Sequence, residues 1–128
     1  MNYGYKRVVQ LSFKNANVRI RESLKEQGFG VLTEIDVRST LKEKLNKDFK
    51  KYVILGACNP PLAFQALHDE EAIGLLLPCN VILWENKDHT TTIAAINANK
   101  MMTIVENDQL LDIAKKVDSL LQLAVNNV

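Results

Sequence analysis

The residues best suited to chemistry are Cys58 and Cys79. They stand in Gly56-Ala57-Cys58-Asn59-Pro60-Pro61 and in Leu77-Pro78-Cys79-Asn80-Val81. Each is followed by Asn and lies close to a Pro at the end of an apolar run, a place where side chains reach a pocket or solvent more often than in mid-run. Twenty residues separate the two, which rules out a C-x-x-C redox pair and half of a zinc ribbon. Asn59-Pro60 reads as an N-cap followed by the first residue of a helix. Cys58 thus directly precedes a helix start, whose N–H groups and dipole favour a thiolate. The plainer alternative is a small apolar residue at a strand end, packed on the core. Cys79 has no helix start beside it. If the strands carrying the two cysteines are neighbours, the sulfurs share one pocket.

Other candidates are weaker. Glu34 and Asp36 are two apart and would face the same side of a strand. Such a pair can serve as acid and base or hold a cation; more simply, Asp36 caps the next helix and Glu34 faces solvent. His68 falls at the far end of the helix that Pro60 begins, ~12 Å along its axis, too far to share a site with Cys58. His89 stands beside a hairpin turn and is expected on the surface. With no H-E-x-x-H and no closely spaced ligand pair, no metal site is expected. Gly28-Phe29-Gly30 follows a helix instead of opening one, so it is not a phosphate loop. There is no G-x-S-x-G elbow, and the single Trp84 offers no platform for stacked bases. Nothing here names a cofactor or a reaction.

The elements that must position these residues follow from periodicity. Tyr5 to Phe13 alternates and is predicted as a strand. Asn15 to Gln27 carries Ala16, Ile20 and Leu24 on one face, with Gly28 as the residue that stops the helix. Phe29 to Ile35 reads as a second strand. Asp36 caps a helix with Val37, Leu41 and Leu45 on one face. Tyr52 to Cys58 is a continuous apolar run suited to a central strand. A short helix from Pro61 to His68 turns Leu62, Ala63, Ala66 and Leu67 inward. Ile73 to Leu77 suggests a buried helical turn before the next strand, Cys79 to Glu85. Asn86-Lys87-Asp88 makes a hairpin, and Thr90 to Asn97 returns. Asn97 to Glu106 is a connector of unassigned form. A last helix, Asn107 to Val125, aligns Leu110, Ala114, Val117, Leu121 and Ala124 in one stripe. Strands alternating with helices leave a parallel α/β sheet and an α+β sheet both open.

The 128 residues suit a single domain, 1–128, with a composition 47% apolar and 24% charged. A net charge of +1 argues against a domain devoted to nucleic acid or to an anionic membrane surface. That near-zero value hides an asymmetry. Residues 1–51 hold 12 basic and 6 acidic side chains, and residues 52–128 hold 4 and 9. Most of the basic excess reads as solvated helix faces; self-association through opposite charges is the sharper alternative. No run reaches the ~18 apolar residues of a membrane span. The N-terminus has no long apolar stretch behind its basic residues, so no signal peptide is expected and the compartment expected is the cytoplasm.

Four blocks resemble one known family. They are Gly28-Phe29-Gly30-Val31-Leu32-Thr33-Glu34-Ile35-Asp36-Val37, Thr40-Leu41-Lys42-Glu43-Lys44-Leu45, Leu55-Gly56-Ala57-Cys58-Asn59-Pro60-Pro61-Leu62-Ala63 and Ile73-Gly74-Leu75-Leu76-Leu77-Pro78-Cys79-Asn80-Val81. In this order and spacing they are similar to the DUF302 family of domains of unknown function, over about residues 3 to 125. The resemblance implies an α+β fold like that of the TATA-binding protein. Its curved, mainly antiparallel sheet of about five strands would carry helices on one face and a long C-terminal helix. The resemblance also implies a homodimer and places both cysteines in the family's pocket. It implies no reaction, and a shared fold does not bring DNA binding with it.

Three functions fit these residues. The first is a domain that binds a small molecule or metabolite in a cleft lined by Cys58, Asn59, Cys79 and Asn80, with Glu34 as a further polar group. The second is a thiol enzyme or redox sensor, with Cys58 as the thiolate and Cys79 as its resolving partner. The third is a dimeric interaction or scaffold protein whose sheet face or long helix docks a partner.

Overall fold

A computed structural model describes residues 1–128. Five strands form one open antiparallel sheet: β1 (Gly4–Val9), β2 (Gly30–Asp36), β3 (Tyr52–Cys58), β4 (Cys79–Glu85) and β5 (Thr91–Ile96), in the order β1-β5-β4-β3-β2. The helices are α1 (Phe13–Glu26), α2 (Val37–Leu45), α3 (Pro60–Asp69), α4 (Ala98–Met102) and α5 (Leu111–Asn126). They lie on one side of the sheet. Every neighbouring pair of strands is antiparallel, so the parallel alternative is gone. Helical periodicity could not decide this. A helix can join two antiparallel neighbours, as α2 joins β2 to β3, or carry the chain between opposite sheet edges, as α1 does from β1 to β2.

Local chemistry sets most boundaries. The strand predicted over Tyr5 to Phe13 stops at Val9 instead. Ser12 takes over as an N-cap, its Oγ accepting from the Asn15 N–H at 3.1 Å, and the first helix starts at Phe13, two residues before Asn15. The alternation through Leu11 and Phe13 was coincidental, because a capping hydroxyl outweighs a two-residue pattern. At the other end Gly28 takes φ +84°, its N–H donating to the Lys25 carbonyl and that of Phe29 to the Leu24 carbonyl. This is the paired-bond helix stop that requires a left-handed residue. Asp36 caps α2 as expected, accepting from the Ser39 N–H at 2.9 Å. That helix buries no side chain, and Leu45 is exposed rather than covered. Leu67, expected inward on α3, is exposed as well. The segment before β4 is a 3-10 helix, Glu71–Leu76, with Ile73 buried. The unassigned connector holds α4, capped by Asn97 through the Lys100 N–H.

The core lies between the helices and one face of the sheet. Val53 and Leu55 of β3, Val81 and Leu83 of β4 and Ile93 of β5 meet Ile20 and Leu24 of α1. The predicted stripe Leu110, Ala114, Val117, Leu121 and Ala124 is buried throughout. Each large side chain of this set contributes roughly 1.5–3 kcal/mol by leaving water. Arg7 of the edge strand β1 fastens the end of α5, donating to the Val125, Asn126 and Val128 carbonyls at 3.2, 2.6 and 3.0 Å. The buried Asp118 on α5 fastens α4, accepting from the Ala98 N–H at 3.2 Å. No helix is long and apolar enough to cross a membrane.

Candidate functional site

The two cysteine-bearing strands are neighbours. Ala57 lies opposite Cys79 in the β3–β4 ladder, so Cys58 stands one residue past that pair, at the end of β3. Both line one cleft of about 270 Å³ at the end of the sheet where β3 stops and β4 begins. Its deep wall comes from Phe29, Ala66, Cys79, Met102 and Ile113, all buried. Its outer wall comes from Leu32, Thr33, Cys58 and Asn59. Leu32 is the extra residue of a β-bulge: the β2–β3 register slips between Val31 and Thr33. The bulge leaves Leu32 unpaired and 68% exposed beside the cleft.

Gly56 makes the outer wall possible. A Cβ on this residue would collide with Thr33 Oγ1 and come within 2.7 Å of Pro78 Cγ. Only a hydrogen at this position lets Thr33 and Pro78 close over β3. Asn59 caps α3 as predicted, its Oδ1 accepting from the Leu62 N–H at 3.3 Å, while its amide nitrogen lies against Gly28.

The structure alters the argument for a Cys58 thiolate. Pro60 and Pro61 have no N–H to give. The Leu62 N–H is taken by the Asn59 side chain, and the Ala63 N–H by the Asn59 carbonyl at 2.8 Å. From Pro60 through Ala63 the start of α3 therefore offers no free backbone donor to a sulfur anion. Cys79 is only 5% exposed. Burial pushes its thiol up to about 11, and the neighbouring Cys58 adds to the rise. Both cysteines are free.

This predicts an asymmetry between the thiols. At pH 8 iodoacetamide should label Cys58 at least ~10-fold faster than Cys79, since a raised pKa and burial both starve the reaction of thiolate; peptide mapping by mass spectrometry reads the ratio, and equal rates would refute it. Stability should also depend on pH through Cys79. Its folded-state pKa is raised, so the folded chain keeps this proton after the unfolded chain has lost it. The stabilisation is complete below pH ~8.5 and is lost as pH rises toward 11. Urea titrations from pH 8 to 11 should show a steeper fall for the natural chain than for Cys79→Ala.

Not every predicted site residue reaches the cleft. Cys58, Asn59 and Cys79 do. Asn80 does not: it is the next residue along β4, points to the opposite face and borders a separate depression with Tyr3, Ile82 and Ala94. Glu34 does not either: it forms an ion pair with Arg21 of α1 at 2.9 Å. Asp36 is occupied by its cap, so the two carboxylates share no site. Phe29, Thr33, Met102 and Ile113 were missed by sequence reasoning. A signal existed for Phe29, an aromatic residue between two glycines at a helix stop, where an apolar contact back onto the helix is usual. No local signal marked the others.

Comparison with known proteins agrees with this architecture. A family model described as "Domain of unknown function DUF302" matches residues 5–128. A crystal structure described as an uncharacterized conserved protein DUF302 from Bacillus stearothermophilus superposes with a TM-score of 0.91 at 29% sequence identity, covering 99% of this chain and 98% of that one. Among curated proteins, none matches.

Proposed function

The chain belongs to the DUF302 family, and from that premise we propose that it binds a small molecule in the cleft beside Cys58 and Cys79. The observation that carries this reading is the cleft itself, about 270 Å³ of largely apolar space with a few polar groups at one side. That combination is the usual form of a small-ligand site. The thiol-enzyme reading is less favoured, because Pro60 to Ala63 at the helix start leave no donor for a Cys58 thiolate and Cys79 holds its proton strongly. Two unpaired thiols suit a reducing compartment such as the cytoplasm.

The test is occupancy. Crystals pressurised with xenon, or soaked in benzene, should bind either probe at the cleft, since apolar cavities take up both. Ala66→Phe, which projects a ring into the deep wall, should abolish this occupancy. A cleft that stays empty in the natural protein would overturn the proposal.

A second reading concerns the other face of the sheet. Val8 is 56% and Ile35 48% exposed there, and Ile54, Ile82 and Trp84 are half-buried on a face with no helix over it. A homodimer through this face would bury them. Sedimentation velocity at micromolar concentration tests it: a monomer removes the reading.

A further inference from the structure

Resting on that reading, we infer that the cleft selects an uncharged, mainly apolar molecule that places a single hydrogen-bonding end beside Thr33 and Asn59. The first support is the absence of charge. No Lys, Arg, His, Asp or Glu side chain lines the cleft. A carboxylate, phosphate or ammonium group drawn into it would lose its water and find no counter-charge, a cost of several kcal/mol.

The second support is the start of α3. A helix N-terminus at the wall of a cleft is ordinarily a ready anion site, because its first N–H groups point outward unpaired. Here most of that capacity is removed. Pro60 and Pro61 contribute no N–H, the Leu62 N–H goes to Asn59 Oδ1, and the Ala63 N–H goes to the Asn59 carbonyl. The helix keeps its dipole, but from Pro60 through Ala63 it has no N–H to offer an oxyanion.

The third support is the placement of the remaining polar atoms. Thr33 and Asn59 lie in the outer wall, and neither Thr33 Oγ1, packed over Gly56, nor Asn59 Nδ2, beside Gly28, makes a hydrogen bond within the chain. Opposite them the deep wall is Phe29, Ala66, Cys79, Met102 and Ile113, whose only polar side-chain groups are the weakly polar sulfurs of Cys79 and Met102. A ligand with one hydroxyl or carbonyl end and an apolar body matches this division. The volume of about 270 Å³ exceeds the ~150 Å³ that admits benzene, so a chain or ring system somewhat larger than benzene fits.

Octan-1-ol, octanoate and octylamine share a body and differ in the charge of the head. Titration calorimetry of the full chain with each, and with benzene as a wholly apolar reference, tests the inference. Octan-1-ol is expected to bind at least ~10-fold more tightly than either ion. Thr33→Val, a nearly isosteric change on an edge strand, should weaken octan-1-ol about 3- to 10-fold and leave benzene unchanged. Equal binding of the three octyl probes, or a preference for octanoate or octylamine, would overturn the inference while leaving the cleft reading intact. Unaltered octan-1-ol affinity in Thr33→Val would overturn the placement of the polar end. If neither benzene nor any octyl probe binds, the cleft reading itself fails.

Discussion

Asp118→Ala is expected to destabilise the domain by about 3–4 kcal/mol, the sum of one lost charge-assisted hydrogen bond and one orphaned buried donor. Asp118 is buried on α5 and accepts from the Ala98 N–H at 3.2 Å, from Asn99 Nδ2 at 3.3 Å and from Gln122 Nε2 at 2.9 Å. Ala98 is fully buried, so its N–H has no water to turn to once the carboxylate is gone. Asp118→Asn keeps an acceptor oxygen for Ala98 and should recover more than half of the loss. Urea unfolding of the three proteins separates these outcomes, and a loss below ~1 kcal/mol for the alanine variant would refute the account. The effect should extend to the cleft. The α4 helix held by Asp118 carries Met102 in the deep wall. Probe binding should therefore weaken in Asp118→Ala even at temperatures where the variant remains folded.

Gly56→Ala is expected to cost about 3 kcal/mol, the upper end of the range for overpacking. The added methyl would meet Thr33 Oγ1 and Pro78 Cγ together. The threonine can rotate away, but the proline ring cannot. A double-mutant cycle with Thr33→Ala apportions the clash: the second change should restore part of the stability and leave the share due to Pro78. Full recovery would mean that Pro78 yields freely, and no loss in the single variant would mean that Gly56 is not needed for close approach. Because Thr33 and Pro78 both line the cleft, the variant should also change probe affinity.

These two residues mark the limits of what was legible. Gly56 lies inside the Gly56-Ala57-Cys58-Asn59-Pro60 block that identifies the family, yet its role depends on Thr33, which is distant in sequence and arrives through a bulge. Asp118 reads as one charged residue on an amphipathic helix. Its partner Ala98 is 20 residues away, beyond any helical period. By contrast, the Asn59 cap, the Asp36 cap, the Gly28 stop and the buried stripe of α5 were all readable, because each is written within a few neighbouring residues. The pairing of Cys58 with Cys79 was readable only as a condition: it required their strands to be adjacent.

The treatment of Asn80 and Glu34 has the same origin. Both stand near the cysteines or the capped helix in sequence, and both leave the cleft in space. Asn80 lies a step further into β4 than Cys79 and faces the opposite side, away from the sheet end where the cleft opens, so it does not accompany Cys79. Glu34 finds Arg21 on a helix that crosses from the far edge of the sheet.

The sequence by itself determined the kind and approximate extent of nearly every element, the apolar stripe of the last helix and the family, because caps, stops and periodicities act over one or two turns of chain. Only the tertiary structure decided the order and direction of the strands, and with them a cleft that joins Cys58 and Cys79 to Phe29, Thr33 and Met102. Those contacts come from pairing between distant segments, where burial of the sheet face as a whole, and no single local preference, selects the arrangement.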